Sequence, residues 1–278
     1  MSRPQSFPGP WPAALLTLLA MFVSQLLAAL FAGPQPSAGV VPTALGFGLA
    51  VGFGGLGTLA ARRVPPPADA RLGLRSFAPA FLISIVLLLP LVVVVSELDN
   101  VTKALFPPAP EPAGAVADPL SLSTPLDLLQ SAVLIVGIVP VVEEWFFRGV
   151  LQQGVVDRLG PVRGVGLTAL LFALAHGGGT TAASWVSAGG GMLLFGLAFG
   201  ALRIASGSLL PPVLLHMAVN ACGVFGTALA ARVPIAGFNA PGEHSPLPLV
   251  VGSVVASALG LAVCLRLGRR GRGASGGA

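Results

Sequence analysis

Residues 77–95 read FAPAFLISIVLLLPLVVVV, a run from Phe77 to Val95 without a single charge. A helix needs about 20 mainly apolar residues to cross the hydrocarbon core of a bilayer. This stretch meets that length and sets the scale for the rest of the chain. Comparable apolar runs lie at 11–31, 40–60, 127–157, 164–176, 184–202, 209–231 and 247–265. The run at 164–176 is short, and the one at 127–157 is overlong and interrupted by Pro140 and by charges. None shows the alternating ten-residue pattern of a membrane barrel. The first run is too long for the apolar core of a signal peptide and only Arg3 precedes it, so it reads as a retained span. The expected fold is all-α, a polytopic membrane helical bundle of about eight transmembrane helices.

Composition excludes a water-soluble globule. Of 278 residues, 54% are hydrophobic and 9% are charged, and the mean hydropathy is +0.89. Soluble domains carry about 25% charged residues. The net charge of +5 rests on arginines that flank the apolar runs, with Lys103 the single lysine. That placement fits lipid head groups, not nucleic acid. With the N-terminus in the cytoplasm, twelve positive residues fall on the cytoplasmic side and only Lys103 and Arg232 outside. The positive-inside rule therefore predicts a multi-pass protein of the cell membrane with both termini cytoplasmic. Cys222 and Cys264 give neither a disulfide framework nor a zinc-finger spacing and read as small core residues. Trp11 and Trp185 read as interfacial anchors. The Pro/Ala-rich stretch Ser96 to Pro125 reads as a loop outside the membrane, and His244, in a second outer loop, as a bystander. The chain divides into N-terminal spans and outer loop (1–125), a central region (126–231), and a last span with an Arg-rich tail (232–278).

The central region holds charges where lipid-facing helices avoid them. The fourth run contains Glu143-Glu144-Trp145-Phe146-Phe147-Arg148. Each charge at a helix centre costs about 2.5–3.5 kcal/mol on insertion scales. Glu144 and Arg148 are four apart and share a face, so they pair and offset each other's desolvation. Glu143 is turned by about 100° and points elsewhere, into a polar cavity. Pro140 upstream removes a backbone hydrogen bond and predicts a kink. The fifth run ends on Phe172-Ala-Leu-Ala-His176, and the seventh carries His216 and Asn220 on one face. Counting about 1.5 Å per residue from Arg158, Arg163 and Arg203 puts Glu143 roughly 22 Å, His176 roughly 20 Å and His216 roughly 20 Å into the membrane. Three ionisable groups on three helices share one depth.

A carboxylate and two imidazoles around a wet cavity suit the activation of water. Glu143 is the candidate general base, with a histidine and the Asn220 amide as donors to a developing oxyanion. Alternatively, His176, His216 and Glu143 hold a metal such as Zn²⁺ that acidifies the water. Other peptidase patterns fit worse. No histidine is followed by glutamate, as a zincin helix requires. Ser206-Gly207-Ser208 lies at the cytoplasmic mouth without a nucleophile turn, and Asp127 sits at the edge of its span with no intramembrane partner.

Glu-Glu-x-x-x-Arg at 143–148, Phe-x-x-x-His at 172–176 and His-x-x-x-Asn at 216–220 resemble, in order, the three motifs of the CAAX-protease and bacteriocin-processing family of intramembrane endopeptidases. The resemblance covers about residues 126–231. It implies that Glu143 activates water with His176 as helper, and that His216 and Asn220 stabilise the oxyanion, or that the histidines are ligands in a metal-dependent member. Glu144, Arg148 and Phe172 would support the site. The family's prenylated substrates end in a cysteine and three further residues, which are removed; other members are linked to peptide maturation, bacteriocin immunity or surface-protein display. The expected partners are membrane lipids and a peptide or protein substrate. The rival class is a non-enzymatic membrane protein: a proton-coupled transporter using the same groups as a relay, or an immunity or scaffold protein.

Overall fold

The computed structural model describes residues 6–34, 40–107, 124–177, 181–230, 232–233, 235–238 and 243–275. Seven helices are long and apolar enough to span: α1 (Pro10–Ala32), α2 (Thr43–Ala61), α3 (Phe81–Leu105), α4 (Pro125–Leu159), α6 (Ala182–Ser206), α7 (Leu210–Ala230) and α8 (Leu247–Arg270). Between α4 and α6 lies the shorter apolar α5 (Pro161–Ala175). Among the described residues the protein is thus all-helical, a multi-pass membrane protein with seven helices long enough to span and one shorter apolar helix, roughly the eight that the runs predict. Large side chains such as Leu15, Phe22, Val86 and Val254 are exposed on the outside of the bundle. A bilayer, not water, is the solvent those faces match.

The helices lean on small residues where they meet. A Cβ added at Gly52 of α2 would fall 2.0 Å from Ser24 Oγ of α1, and one at Gly196 of α6 would fall 3.0 Å from the Ala169 Cα of α5. In lipid there is little hydrophobic drive between helices, so close backbone approach of this kind carries the packing.

Two parts of the sequence reading need correction. Ser96 to Leu105 is not loop but the end of α3. No glycine or proline interrupts Leu91 to Phe106, and the polar residues support the turn they sit on, as in the Lys103 Nζ–Asp99 Oδ2 pair at 2.6 Å. Residues 108–123 of that predicted loop lie outside the described residues. Nor is His244 idle: its Nδ1 lies 2.6 Å from Glu97 Oε1. With Asn100 Nδ2 donating to the Gly237 carbonyl at 2.7 Å, it ties the loop before α8 to α3. Cys264 is buried as expected, and Cys222 is only half-buried.

Just before Pro140 the helix runs as a π-helical stretch from Ala132 to Ile138. Val139 N–H bonds back five residues to the Leu134 carbonyl. The next bond in that register would run from residue 140 to Ile135, and proline has no N–H to make it. Asn220 Nδ2 of α7 donates to the Ile135 carbonyl instead, at 2.8 Å. A defect in one helix is thereby sealed by a side chain of another, as buried backbone groups require.

Candidate active site

Helix α5 is 15 residues long, about 22 Å at 1.5 Å per residue, so it ends inside a hydrocarbon core of about 30 Å. Its last carbonyls have no following N–H groups. The final turn tightens, with His176 N–H on the Ala173 carbonyl at 3.2 Å. The Phe172 carbonyl then accepts from the His176 ring at Nδ1, at 2.8 Å. This bond puts the proton on Nδ1 and aims Nε2 at Glu143 Oε2, 3.5 Å away.

His216 reaches the same oxygen from α7. The depth count through Arg203 does not describe how, because the chain reverses at Gly207–Leu209 and that turn is sunk into the bundle. Leu209 N–H bonds the Gly73 carbonyl at 3.0 Å, and a Cβ at Gly149 of α4 would touch the Leu209 side chain at 3.3 Å. His216 is six residues past the start of α7 at Leu210, and Glu143 is six residues before Gly149, so both stand about 9 Å above that level. The shared depth holds, by a different route. His216 Nε2 lies 3.9 Å from Glu143 Oε2.

Glu144 does what its spacing predicts and one thing more. Its Oε1 accepts from Arg148 Nη1 at 2.7 Å, with both side chains fully buried. The same oxygen lies 3.0 Å from His216 Nδ1. A carboxylate paired with a guanidinium is ionised and can only accept, so His216 carries its proton on Nδ1 and presents Nε2 to Glu143. Arg148 Nη2 also donates to the Gly196 carbonyl at 3.2 Å.

Aromatic rings hold this arrangement. Phe172 is buried, with the Arg148 guanidinium 4.4 Å from its ring centroid and the His176 ring centroid at 4.2 Å. Sequence reading missed Phe199 of α6. It stacks on His216 with centroids 4.7 Å apart and lies 5.1 Å from the Arg148 guanidinium. A phenylalanine in an apolar span carries no mark that separates it from lipid-facing neighbours. Helix α6, which holds no ionisable group of the motifs, is nonetheless a wall of the site.

Glu143, His176, His216 and Asn220 all line one cavity of about 400 Å³, closed elsewhere mainly by apolar side chains such as Leu134, Met192 and Phe195. It adjoins a second cavity of about 470 Å³, since Ile135, Met192, Phe195, Val219 and Asn220 border both. The Asn220 amide is partly committed through its bond to the Ile135 carbonyl, as the Nδ1 atoms of His176 and His216 are to Phe172 and Glu144. Among the described residues, no group of three His, Cys, Asp or Glu side chains is arranged to hold a metal ion. Ser206 and Ser208 serve the sunken turn: Ser208 Oγ donates to the Arg75 carbonyl at 2.5 Å. Asp127 forms a capping box with Thr124 at the start of α4.

The fold and site together define a multi-pass helical membrane protein with a buried carboxylate facing two imidazoles. The family described as type II CAAX prenyl endopeptidase Rce1-like matches residues 125–222, the stretch that carries all three motifs. No curated protein matches the chain, and no solved structure matches it.

Proposed function

We propose that this protein is an intramembrane endopeptidase in which Glu143 activates water to hydrolyse a peptide bond. One observation carries the reading: the Nε2 atoms of two histidines converge on one buried oxygen, Glu143 Oε2, while both Nδ1 atoms are held by fixed acceptors. That oxygen has no hydrogen-bond partner in the protein. At 3.5 and 3.9 Å the groups are close enough for a water on their cavity side to bridge Glu143 Oε2 and a histidine Nε2.

Glu143 takes a proton from this water as its oxygen bonds to the scissile carbonyl carbon. His176 Nε2 accepts a hydrogen bond from the water and orients it. His216 takes a proton at Nε2 from a second cavity water before the attack, donates it as a hydrogen bond to the oxyanion and returns it to solvent when the intermediate collapses. Asn220 has two amide protons, and the one not bonded to Ile135 is a second oxyanion donor. The C–N bond then breaks, and the proton held by Glu143 passes to the leaving amine. Glu144, Arg148 and Phe172 position the histidines and do not touch the reacting atoms. No step needs a metal.

The adjoining cavity has an apolar wall of four valines with Ile135, Met192 and Phe195, and a polar part that includes Ser96, Asp99, Ser131 and Ser187. It suits a substrate with apolar residues beside the scissile bond, as in a membrane-associated peptide or a C-terminal CAAX-like sequence. The arginine distribution supports a site in the cell membrane with both termini cytoplasmic.

Reconstitution in proteoliposomes tests the reading against a proton-coupled transporter. The peptidase reading expects cleavage of a reporter peptide with an apolar C-terminal segment, abolished in Glu143→Gln. Retained cleavage in that variant, or proton flux without cleavage in the native protein, would overturn it.

A further inference from the structure

At the Arg-rich end of the bundle, away from Glu143, a second polar cavity of about 350 Å³ is lined by Arg71, Arg148, Gln152, Gln153, Asp157 and Arg203, among others. Two of its three arginines have carboxylate partners: Arg148 pairs with Glu144, and Arg71 with Asp157. Arg203 has none. It is 8% exposed, and among the described residues no carboxylate lies within ion-pair distance of it. Its Nη2 donates to the Arg71 carbonyl at 2.6 Å, and its Nε has no partner.

A buried guanidinium without a counter-charge is costly, because desolvation is not offset by a carbonyl alone. The fold nevertheless fixes it there. Gly73 has φ +79°, and a Cβ on it would lie 2.6 Å from Arg203 Cζ. Arg71 Nε and Arg148 Nε are also buried without partners. The cavity holds one carboxylate, Asp157, which is taken up by Arg71, so among the described residues the Arg203 charge has no protein anion to balance it and the three Nε donors are unpartnered. It offers acceptors too: Gln152 Nε2 is held by the Gly200 carbonyl and Gln153 Nε2 by the Phe7 carbonyl, while both Oε1 atoms lack partners.

We infer that this cavity is a binding site for a phosphate group that also carries hydroxyl or ammonium donors, as in the head group of phosphatidylglycerol or phosphatidylethanolamine. The phosphate meets Arg203 and Arg71, and the donors meet the two glutamine oxygens. Its position at the arginine-flanked ends of the spans is where lipid phosphates lie, and planar guanidinium groups suit phosphate geometry. The site is separate from the Glu143 cavity and stands whether or not the peptidase reading does.

The test uses the full chain purified in a neutral detergent, titrated with phosphatidylglycerol and followed by native mass spectrometry. One lipid is expected to remain bound to the native protein. Arg203→Gln is expected to weaken retention by about ten- to a hundredfold, the range of a lost hydrogen bond to a charged group. Because Arg203→Gln could disturb folding, Arg71→Gln is measured beside it; that side chain is 28% exposed and less central to packing. Phosphatidylcholine, which lacks the donors, is expected to bind more weakly than phosphatidylglycerol. If inorganic phosphate displaces the lipid, the site takes free phosphate and the lipid source is wrong, although the anion assignment stands. If folded Arg71→Gln or Arg203→Gln retains phosphatidylglycerol as the native protein does, the inference is overturned.

Discussion

Glu143 and Glu144 are adjacent in sequence and live in two different regions of the molecule. Glu144 is locked into a packed nest of Arg148, His216, Phe172 and Phe199 and has no exposure. Each acid keeps its Oε2 without a hydrogen-bond partner in the protein, but Glu144 is fixed through Oε1 and stands behind the site, while Glu143 lines the cavity that His176 and His216 also face. The 100° between successive helical residues is enough to separate a carboxylate that holds the structure from one free to act on a ligand. The difference teaches that burial of a charge says little about its role. What decides is whether it is paired with a fixed cation, as Glu144 is with Arg148, or lines a cavity, as Glu143 does.

This comparison is broken most directly at its reactive side. Glu143→Gln is expected to lower peptide hydrolysis by about 10²–10⁴-fold, the usual contribution of a general base, with the thermal unfolding midpoint nearly unchanged. A large fall in the midpoint would place Glu143 with Glu144 as a structural group. Glu144→Gln should do the reverse in stability. It leaves Arg148 as an unpaired buried charge, for which about 3–5 kcal/mol is expected, read by denaturation in detergent. It also frees His216 Nδ1, so activity falls too, and Glu144→Gln/Arg148→Met should recover stability without recovering activity.

Smaller effects sharpen the same contrast. Asn220→Ala leaves the Ile135 carbonyl without its donor and is expected to cost about 1–3 kcal/mol. Unchanged stability would mean that the π-helical stretch before Pro140 is sealed in another way. Phe199→Leu keeps an apolar wall but removes the stack on His216, worth about 0.5–1.5 kcal/mol. Turnover should fall by about two- to tenfold, with substrate KM little altered.

Much of this was legible in the sequence, and the reasons are physical. Apolar runs report spans because lipid leaves no other way to satisfy a backbone. The pairing of Glu144 with Arg148, and the separate facing of Glu143, followed from helix geometry alone. The remainder depends on contacts between helices, which no local spacing encodes. That His216 leans on Glu144, that Asn220 answers a carbonyl exposed by Pro140, and that Phe199 walls the site all arise from α6 and α7 packing on α4. The sunken turn at Gly207–Leu209 and the helical end of α3 were hidden for a related reason. Polar residues there read as loop when each is taken singly, yet they bond one another or the backbone of neighbouring segments.

The central claim is that Glu143 drives peptide-bond hydrolysis. It is tested most directly by comparing new peptide termini, by mass spectrometry, in host membranes expressing the native protein or Glu143→Gln at matched, folded levels. The account predicts termini present only with the native protein, flanked by apolar residues. Identical profiles in the two membranes would contradict it.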